Sequence, residues 1–413
     1  MKGLVQQAKN ASSIDVFSRT STSIMNTSTL KASAISLGLC LGMLASSTAY
    51  AQEQGVEFGA EARVVFDDNI FREVDGESDT IFEVLPTIGY VGLYGKHKLT
   101  AEYDGKYALY TDNSDVNYAN HRARGQLDLD LTTRWNARLG VLVIDEVEEP
   151  GLNNFQLNGA EEFTEFDSVR LSAETSYGQR QSAGQFVFKY ANQSFDYENN
   201  NQAFRDRTID ELTGTFFWRV FPRSRVIFEV RSLMSDSDNI VGFNQSFDQL
   251  SYLTGLTWEA TAKTEGEFRI GYQNTEYDNP LIDDLDGLSF FLDVDYKPDS
   301  DSLANLAISR TTRDSAELTL AGLETTDIVL SYKTPLAGRF AMEAEYLYRL
   351  DDFDGASNRS DDTNRIKGQL LYDAYNWLEA YVGVEYLTRS SDLEIFEYDN
   401  TRFLIGVEIL FDN

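Results

Sequence analysis

Apolar and polar side chains alternate along almost the whole chain, with a period of two residues. In the last segment one face holds Phe403, Ile405, Val407, Ile409 and Phe411. The other face holds Gly406 and Glu408. Segments of about 10 residues that alternate in this way and are separated by turn residues are typical of a transmembrane β-barrel. The pattern predicts an all-β fold, an antiparallel up-and-down barrel of about 18 strands (between about 16 and 20) in a bacterial outer membrane.

Tight turns and longer acidic connections alternate between these segments. The predicted tight turns lie near Gly95-Lys96, Thr133-Arg134, Gly178–Gln181, Pro222-Arg223, Lys263-Thr264, Pro298-Asp299, Pro335-Leu336 and Tyr375-Asn376. The predicted longer connections are Asp67–Asp79, Thr111–Asn120, Glu146–Phe163, Asp196–Arg205, Asp236–Phe247, Asp278–Asp284, Asp314–Leu323, Asp351–Asp362 and Arg389–Glu397. In outer-membrane barrels the tight turns are periplasmic, so we expect both termini in the periplasm.

Closure of the barrel is expected to pair the first strand, Val56–Phe66, with the last, Tyr398–Phe411, because closure leaves no open edge. Aromatic residues near strand ends are expected to form girdles at the membrane interfaces. These are Phe66, Tyr90, Tyr110, Trp135, Trp218, Trp258 and Trp377.

The N-terminal segment has the features of a secretory signal peptide. Lys31 precedes the apolar stretch Ala32–Ala45, and Ala49-Tyr50-Ala51 supplies a small-x-small cleavage pattern. We therefore expect residues 1–51 to be a signal peptide, with translation starting at Met25 in preference to Met1, and residues 52–413 to form a single barrel domain. The one cysteine of the sequence, Cys40, falls inside this signal. The mature chain is thus expected to have no disulfide, thiolate metal site or cysteine nucleophile.

The chain is strongly acidic, with a formal net charge of −32. Such a charge disfavours nucleic acid as a partner. The lipid-facing side of a barrel cannot hold this charge, which must therefore lie in the lumen, the loops and the turns. The expected partners are outer-membrane lipids, lipopolysaccharide, the barrel assembly machinery and periplasmic polysaccharide-export components. The acidic runs that begin at Asp283 and Asp351 are expected to meet lipopolysaccharide phosphates through divalent ions.

Counting alternate positions assigns charged residues to the lumen. On the strand after Trp135, for example, Leu139 and Val141 face lipid, so Arg138 faces inward. The acidic lining candidates are Glu102, Asp104, Asp128, Asp130, Glu174, Glu229, Glu267, Asp293, Asp295, Glu343, Glu345, Glu379 and Glu385. The basic ones are Arg138, Arg170, Arg231 and Arg269. This set predicts an acidic lumen that favours cations.

Catalytic chemistry has little support in the sequence. The two histidines, His97 and His121, lack the serine or aspartate spacing of a nucleophilic site. Paired carboxylates such as Glu343 and Glu345 can perform glycosidic acid–base chemistry, but two acids on one strand face are more often solvated charges. We expect no enzyme activity, no catalytic residue, no cofactor and no bound metal.

The first third of the chain resembles an outer-membrane family known as putative β-barrel porin type 2, whose members occur among exopolysaccharide-operon proteins. The matching stretches are Asp67-Asp68-Asn69-Ile70-Phe71-Arg72, Ser78–Phe82 with Leu85-Pro86, Gly95–Leu99, Tyr107–Tyr110, Asn117-Tyr118, His121-Arg122, Leu127–Asp130 and Arg134-Trp135. The resemblance implies an outer-membrane channel associated with synthesis or export of surface polysaccharide, and it implies no catalytic residues. The chain departs from many barrels in ending two residues after Phe411.

Four functions are compatible with these patterns. The preferred one is an outer-membrane channel that serves exopolysaccharide export. The alternative is a general or cation-selective porin for small solutes. Less favoured are an outer-membrane polysaccharide hydrolase or lyase and a surface scaffold whose acidic loops bind a partner. An acidic lumen would repel an acidic glycan, so the export function requires a neutral or basic polymer or a different conduit.

Overall fold

The computed structural model describes residues 54–412 apart from 149, 151–161, 238–243, 262, 315–321 and 354–358. The expected signal peptide, Met25 and Cys40 lie outside these residues. The strands are β1 (Gly55–Asp67), β2 (Asp79–Tyr94), β3 (His97–Tyr110), β4 (Tyr118–Asp130), β5 (Trp135–Glu148), β6 (Thr164–Tyr177), β7 (Gly184–Tyr197), β8 (Arg207–Phe221), β9 (Ser224–Ser237), β10 (Phe247–Thr261), β11 (Thr264–Tyr277), β12 (Leu285–Tyr296), β13 (Leu303–Asp314), β14 (Gly322–Pro335), β15 (Phe340–Phe353), β16 (Arg359–Tyr375), β17 (Leu378–Ser391) and β18 (Tyr398–Asp412). Within this part of the chain, no helix is long and apolar enough to cross a membrane.

The strands form one closed antiparallel sheet. Each strand pairs with its neighbours in sequence, and β1 also pairs with β18. In that closing pair Phe58 lies opposite Phe411, and Phe66 lies opposite Phe403. The predicted 18-stranded barrel and its closure are confirmed. The end that carries the short turns β2–β3 through β16–β17 is called the turn end below, and the opposite end is called the loop end.

The two faces of the sheet differ as the alternation predicts. On β18, Phe403 and Ile405 are each 56% exposed on the outward face. On the inward face, large charged side chains are buried, and Arg365 is only 1% exposed. Because every strand has a hydrogen-bonded neighbour on both sides, the backbone polar groups are satisfied within the sheet. The outward apolar side chains are therefore free to contact lipid.

Several strands extend further than the sequence predicts. The expected connection Asp351–Asp362 is largely strand, because β15 continues to Phe353 and β16 begins at Arg359. Asp351 lies opposite Asp361 in this pair. The acidic composition of this segment is typical of a loop, but it does not prevent strand pairing. Backbone pairing with a neighbouring strand does not depend on apolar side chains, so it can continue beyond the apolar belt.

The family-like stretch Asp67–Arg72 joins the first strand to the last at the loop end. The Asp67 carboxylate accepts hydrogen bonds from Asn400 Nδ2 (2.5 Å) and Arg402 Nε (2.6 Å), both on β18. It also forms an ion pair with Arg72 at 3.3 Å. Asn69 Nδ2 donates to the carbonyl oxygen of Asp399 at 2.9 Å. We call Asp67, Asn69, Arg72, Asn400 and Arg402 the seam cluster, because it fastens the β1–β18 closure.

An apolar cluster lies beside the seam on the inner side of the loop end. Ile70 from the β1–β2 connection is buried there with Val65, Ile81 and Tyr110. The rings of Tyr110 and Phe163 pack edge to face, with centroids 6.0 Å apart. Tyr110 is therefore buried inside the barrel, and its expected place in an outward girdle is wrong. Its position on β3 has the inward parity, and the β1–β2 connection covers it.

Candidate functional site

The inward face of the barrel holds the predicted lining residues. Each of them occupies an inward position in the strand registers, although their role in conduction remains a prediction. All but four of them fall into four groups along the wall, and the registers bring most of them next to charged residues outside the predicted set. The neighbours of each group determine what it can do.

The first group is a buried ion-pair network at mid-height of β6 to β11. Arg269 Nη1 lies 2.7 Å from Glu229 Oε2, and Arg269 Nη2 lies 2.6 Å from Glu267 Oε1. Arg231 Nη2 is 2.9 Å from Glu229 Oε1. Glu211 joins the network at 3.9 Å from Arg170 and 3.8 Å from Arg231. Glu211 has the inward parity of β8 but is absent from the predicted set, because the inward Ile209 and Phe217 interrupt the polar pattern of this strand.

The second group surrounds a cavity of about 770 Å³ at the turn end. Asp128, Asp130, Arg138 and Glu174 from the predicted set line it. Arg138 Nε lies 2.7 Å from Asp128 Oδ1. The lining also includes seven hydroxyl and amide side chains, namely Thr132, Thr133, Asn136, Ser176, Gln179, Gln181 and Gln185.

One connection at the turn end folds across this cavity. Arg180, between β6 and β7, forms an ion pair with Glu259 of β10. Both residues line the cavity. The β6–β7 connection therefore extends over the inward face as far as β10, and polar groups of both charges surround the opening at the turn end.

The third and fourth groups are two acid pairs of identical spacing. On β15, Glu343 forms an ion pair with Lys333 of β14, and Glu345 Oε1 lies 2.8 Å from Arg365 Nη2 of β16. On β12, Asp293 and Asp295 instead share Asn305 of β13. The first pair has a cation for each carboxylate, and the second has an amide.

The remaining candidates lie in two other parts of the wall. Glu102 lies opposite Arg124, and Asp104 lies opposite Arg122, in the β3–β4 pair. Glu385 Oε2 is 2.9 Å from Lys367 Nζ, whereas Glu379 lies opposite Glu408 of β18.

The inward face carries many more bases than the four predicted arginines. These include Arg63, Lys106, Arg122, Arg124, Lys189, Arg225, Arg313, Lys333, Arg349, Arg359, Arg365, Lys367, Arg389 and Arg402. Arg349 Nε lies 2.7 Å from Asp327, and Arg389 is paired with Asp361. Arg359 and Arg389 lie in the expected connections Asp351–Asp362 and Arg389–Glu397, whereas the others occupy inward strand positions that counting alternate residues would also assign to the lumen. The wall therefore carries charges of both signs, and its acids also include some outside the predicted set, such as Glu83, Glu211 and Asp327.

The histidines do not form a catalytic group. His121 Nδ1 lies 2.8 Å from the hydroxyl of Tyr103, and both residues are on the outward parity of their strands. Among the described residues, no group of three or more histidine, cysteine, aspartate or glutamate side chains is arranged to hold a metal ion.

At the turn end, the backbone N–H of Asp301 and the groups of Ser302 hold the pKa of Asp299 below its ordinary value.

Comparison with known proteins gives a family and a set of distant structures. The family model described as Putative beta-barrel porin 2 matches residues 56–411. No curated protein matches the chain at a significant level. Similar solved structures include OpdL of Pseudomonas aeruginosa, with 10% identity and a TM-score of 0.45 over 87% of this chain and 99% of that one. OccK1 (OpdK) of Pseudomonas aeruginosa has 7% identity and a TM-score of 0.49 over 86% and 99%. OccAB3 of Acinetobacter baumannii has 10% identity and a TM-score of 0.45 over 87% and 100%.

Proposed function

This chain belongs to the family described as Putative beta-barrel porin 2, and from that premise we propose that it is a water-filled outer-membrane channel associated with exopolysaccharide export. The chain is an outer-membrane, porin-like β-barrel. The observation that carries the proposal is the closure of 18 strands around an inward face of charged and hydroxyl side chains. At this strand number the interior is wider than wall side chains alone fill.

The orientation follows from the two ends of the barrel. The connections at the turn end are short, whereas those at the loop end are longer. Barrels of this class have short periplasmic turns and longer extracellular loops. We therefore place the turn end, with both termini and the cavity, in the periplasm.

The mixed charge of the wall supports a role in polysaccharide export. A uniformly acidic lining would repel an acidic glycan. Here basic side chains such as Lys367 and Arg402 lie beside Glu385, so positive and negative groups alternate over short distances. The turn-end cavity adds hydroxyl and amide groups, which can exchange hydrogen bonds with sugar hydroxyls.

Deletion in the native host tests the export role. We expect loss of surface polysaccharide with unchanged uptake of small hydrophilic solutes, and recovery when the gene is returned. Normal polysaccharide in the deletion strain would contradict the association.

Single-cysteine labelling tests the channel itself. Cys40 is the only native cysteine and lies in the expected signal peptide, so an introduced thiol is unique in the mature barrel. Glu174 faces inward beside Arg138 and Lys189, whereas its neighbour Ala173 has the outward parity. A positively charged thiosulfonate reagent should change the bilayer conductance of Glu174→Cys and leave that of Ala173→Cys unchanged. Equal responses of the two variants would contradict a conducting lumen.

A cation-selective porin for small solutes is the second candidate. It is favoured by Asp293 and Asp295, which form no ion pair with any described residue. Reversal potentials in a salt gradient would show cation preference if this candidate is correct. An enzyme is less favoured, because the family is one of porins and because Glu343 and Glu345 are each engaged in their own ion pair. A mutant with Glu343→Gln that loses polysaccharide cleavage but keeps its fold and conductance would reverse this order.

A further inference from the structure

Asp293 and Asp295 form the one predicted acid pair whose cross-strand neighbours include no base. On one side, Asp293 lies opposite Glu267 and Asp295 lies opposite Glu265, both on β11. On the other side, Asp295 lies opposite Asn305 of β13. The side chains are enclosed, since Asp293 is 7% exposed, Asp295 3% and Asn305 4%. Four carboxylates thus lie close together on two adjacent strands.

The nearby bases form ion pairs with Glu267 and Glu265 rather than with the two aspartates. Arg269 pairs with Glu267 at 2.6 Å, and Lys297 Nζ lies 3.3 Å from Glu265 Oε1. The only hydrogen bonds that Asp293 and Asp295 receive from described side chains come from Asn305 Nδ2, at 2.7 Å and 2.8 Å. No described base therefore forms a direct ion pair with Asp293 or Asp295, although Lys297 is near enough to interact with the charge of Asp295.

Two oxygen atoms at this place are buried without a partner. They are Asp293 Oδ2 and Asn305 Oδ1, and neither has a hydrogen bond with any described residue. Both are acceptors, so another acceptor cannot satisfy them. A buried carboxylate oxygen without a donor is unfavourable unless a donor or a cation fills the position. The amide nitrogen of Asn305 is already used by the two aspartates, and its oxygen is free to accept from a donor or to bind a cation.

We propose that Asp293, Asp295 and Asn305 form a cation-binding station on the inward wall, and that it takes a hard divalent cation such as Ca²⁺. Carboxylate and amide oxygens are the ligands that Ca²⁺ prefers, and lumen water would complete its coordination. Two carboxylates make a weaker site than the multi-acid loops of calcium sensors. We therefore expect a dissociation constant on the order of 10⁻⁴ to 10⁻³ M. This inference rests on the proposed function only for the claim that the station lies on a conduction path, where weak binding allows an ion to leave again.

Direct binding tests the station without requiring conduction. Purified barrel in detergent is titrated with CaCl₂ and bound Ca²⁺ is measured by equilibrium dialysis. The acidic loops will bind Ca²⁺ weakly in every variant, so the comparison uses matched acid pairs. Asp293→Asn with Asp295→Asn should bind about one Ca²⁺ fewer per chain than wild type. Glu343→Gln with Glu345→Gln, which removes an acid pair of the same spacing near the same end, should bind as wild type does.

A second variant keeps the test decisive if the control pair folds poorly. Asn305→Asp adds a carboxylate to the station and should tighten Ca²⁺ binding about tenfold, while the sheet register is unchanged. Heat-modified mobility on SDS gels checks folding in each case. Unchanged binding in both the Asp293/Asp295 variant and Asn305→Asp would overturn the station and assign the orphan oxygens to bridging water or to a bound proton.

Bilayer recordings separate this result from the proposed channel function. If the barrel conducts, millimolar Ca²⁺ should reduce the wild-type K⁺ current, and Asp293→Asn with Asp295→Asn should relieve this block. A conducting barrel without any Ca²⁺ effect would overturn the station as part of the path. A barrel that binds Ca²⁺ in dialysis but does not conduct would contradict the channel function and leave the binding site in place.

Discussion

The acid pairs on β12 and β15 share spacing, facing and distance from the turn end, yet the registers give them opposite surroundings. Glu343 lies opposite Lys333, and Arg365 reaches Glu345. Asp293 lies opposite Glu267 on one side and Ala307 on the other. An isolated strand therefore does not determine whether an inward carboxylate is a structural ion or a ligand. The two neighbouring strands determine it, because cross-strand pairs are the unit of interaction in a sheet.

Because of this difference, substitutions in the two acid pairs are expected to change the stability of the fold in opposite directions. Removing one partner of a buried ion pair leaves an uncompensated charge and is strongly destabilising. Removing a carboxylate that has no cationic partner relieves such a charge instead. Unfolding in urea and detergent, followed by tryptophan fluorescence, measures this contrast in the variants.

The largest effect is expected at Arg365. Its side chain is 1% exposed and that of Glu345 is 3% exposed, so Arg365→Met leaves a buried carboxylate without its cation. We expect a loss of about 3–5 kcal/mol in the free energy of unfolding. Lys297→Met is the control, because its pair with Glu265 is 44% and 32% exposed and should contribute no more than about 1 kcal/mol. Similar losses of stability in Arg365→Met and Lys297→Met would show that burial does not determine how much these ion pairs contribute.

Asp67 of the seam cluster is a second buried carboxylate with cationic partners. We expect its substitution to cause a somewhat smaller loss of stability. Asp67→Asn keeps the size of the side chain but removes the charge that holds Arg72 and Arg402. We expect a loss of about 2–3 kcal/mol. Asp75→Asn, in the same connection, is exposed and should change the free energy of unfolding by less than about 0.5 kcal/mol. A stable Asp67→Asn barrel would show that the seam is held by backbone pairing alone.

The sign should reverse at Asp293. In buffer with a chelator, Asp293→Asn should leave stability unchanged or raise it by about 1 kcal/mol, because it removes an uncompensated buried charge. Adding Ca²⁺ should raise the stability of the wild type only, since a ligand that binds the folded state stabilises it. Glu343→Gln should be destabilising under both conditions. If Asp293→Asn is less stable than wild type in chelator, the Asp293 carboxylate stabilises the fold as Glu343 does, and the contrast between the two pairs is wrong.

Sequence patterns predicted the barrel well because alternation is a property of each strand by itself. The outward Phe403 and Ile405 and the inward Glu408 follow directly from their parity. The partners of inward charges were not predictable in this way, because they depend on the register between strands. Asn305 lies 12 residues from Asp293, and Arg365 lies 20 residues from Glu345, so the length of the intervening connection and the register of the next strand decide whether they meet. Tyr110 was assigned to the wrong side, since its aromatic character suggested a girdle while its burial depends on a connection folding over it.

The smallest change in stability is expected at Asp299, whose carboxylate lies in a turn outside the strands and accepts hydrogen bonds from neutral donors. Asp299 accepts hydrogen bonds from the backbone N–H groups of Asp301 (3.0 Å) and Ser302 (2.8 Å), and its pKa is lowered. A lowered folded-state pKa contributes stability above the unfolded-state value near 3.8, and this contribution is lost as the pH falls through the folded-state pKa. Asp299→Ala should therefore be slightly less stable than wild type at pH 7, and the difference should shrink as the pH falls below about 4. Asp301→Ala keeps the donating N–H and should show no such pH dependence. A difference for Asp299→Ala that persists undiminished at pH 2 would mean that turn geometry, rather than the ionised carboxylate, stabilises this connection.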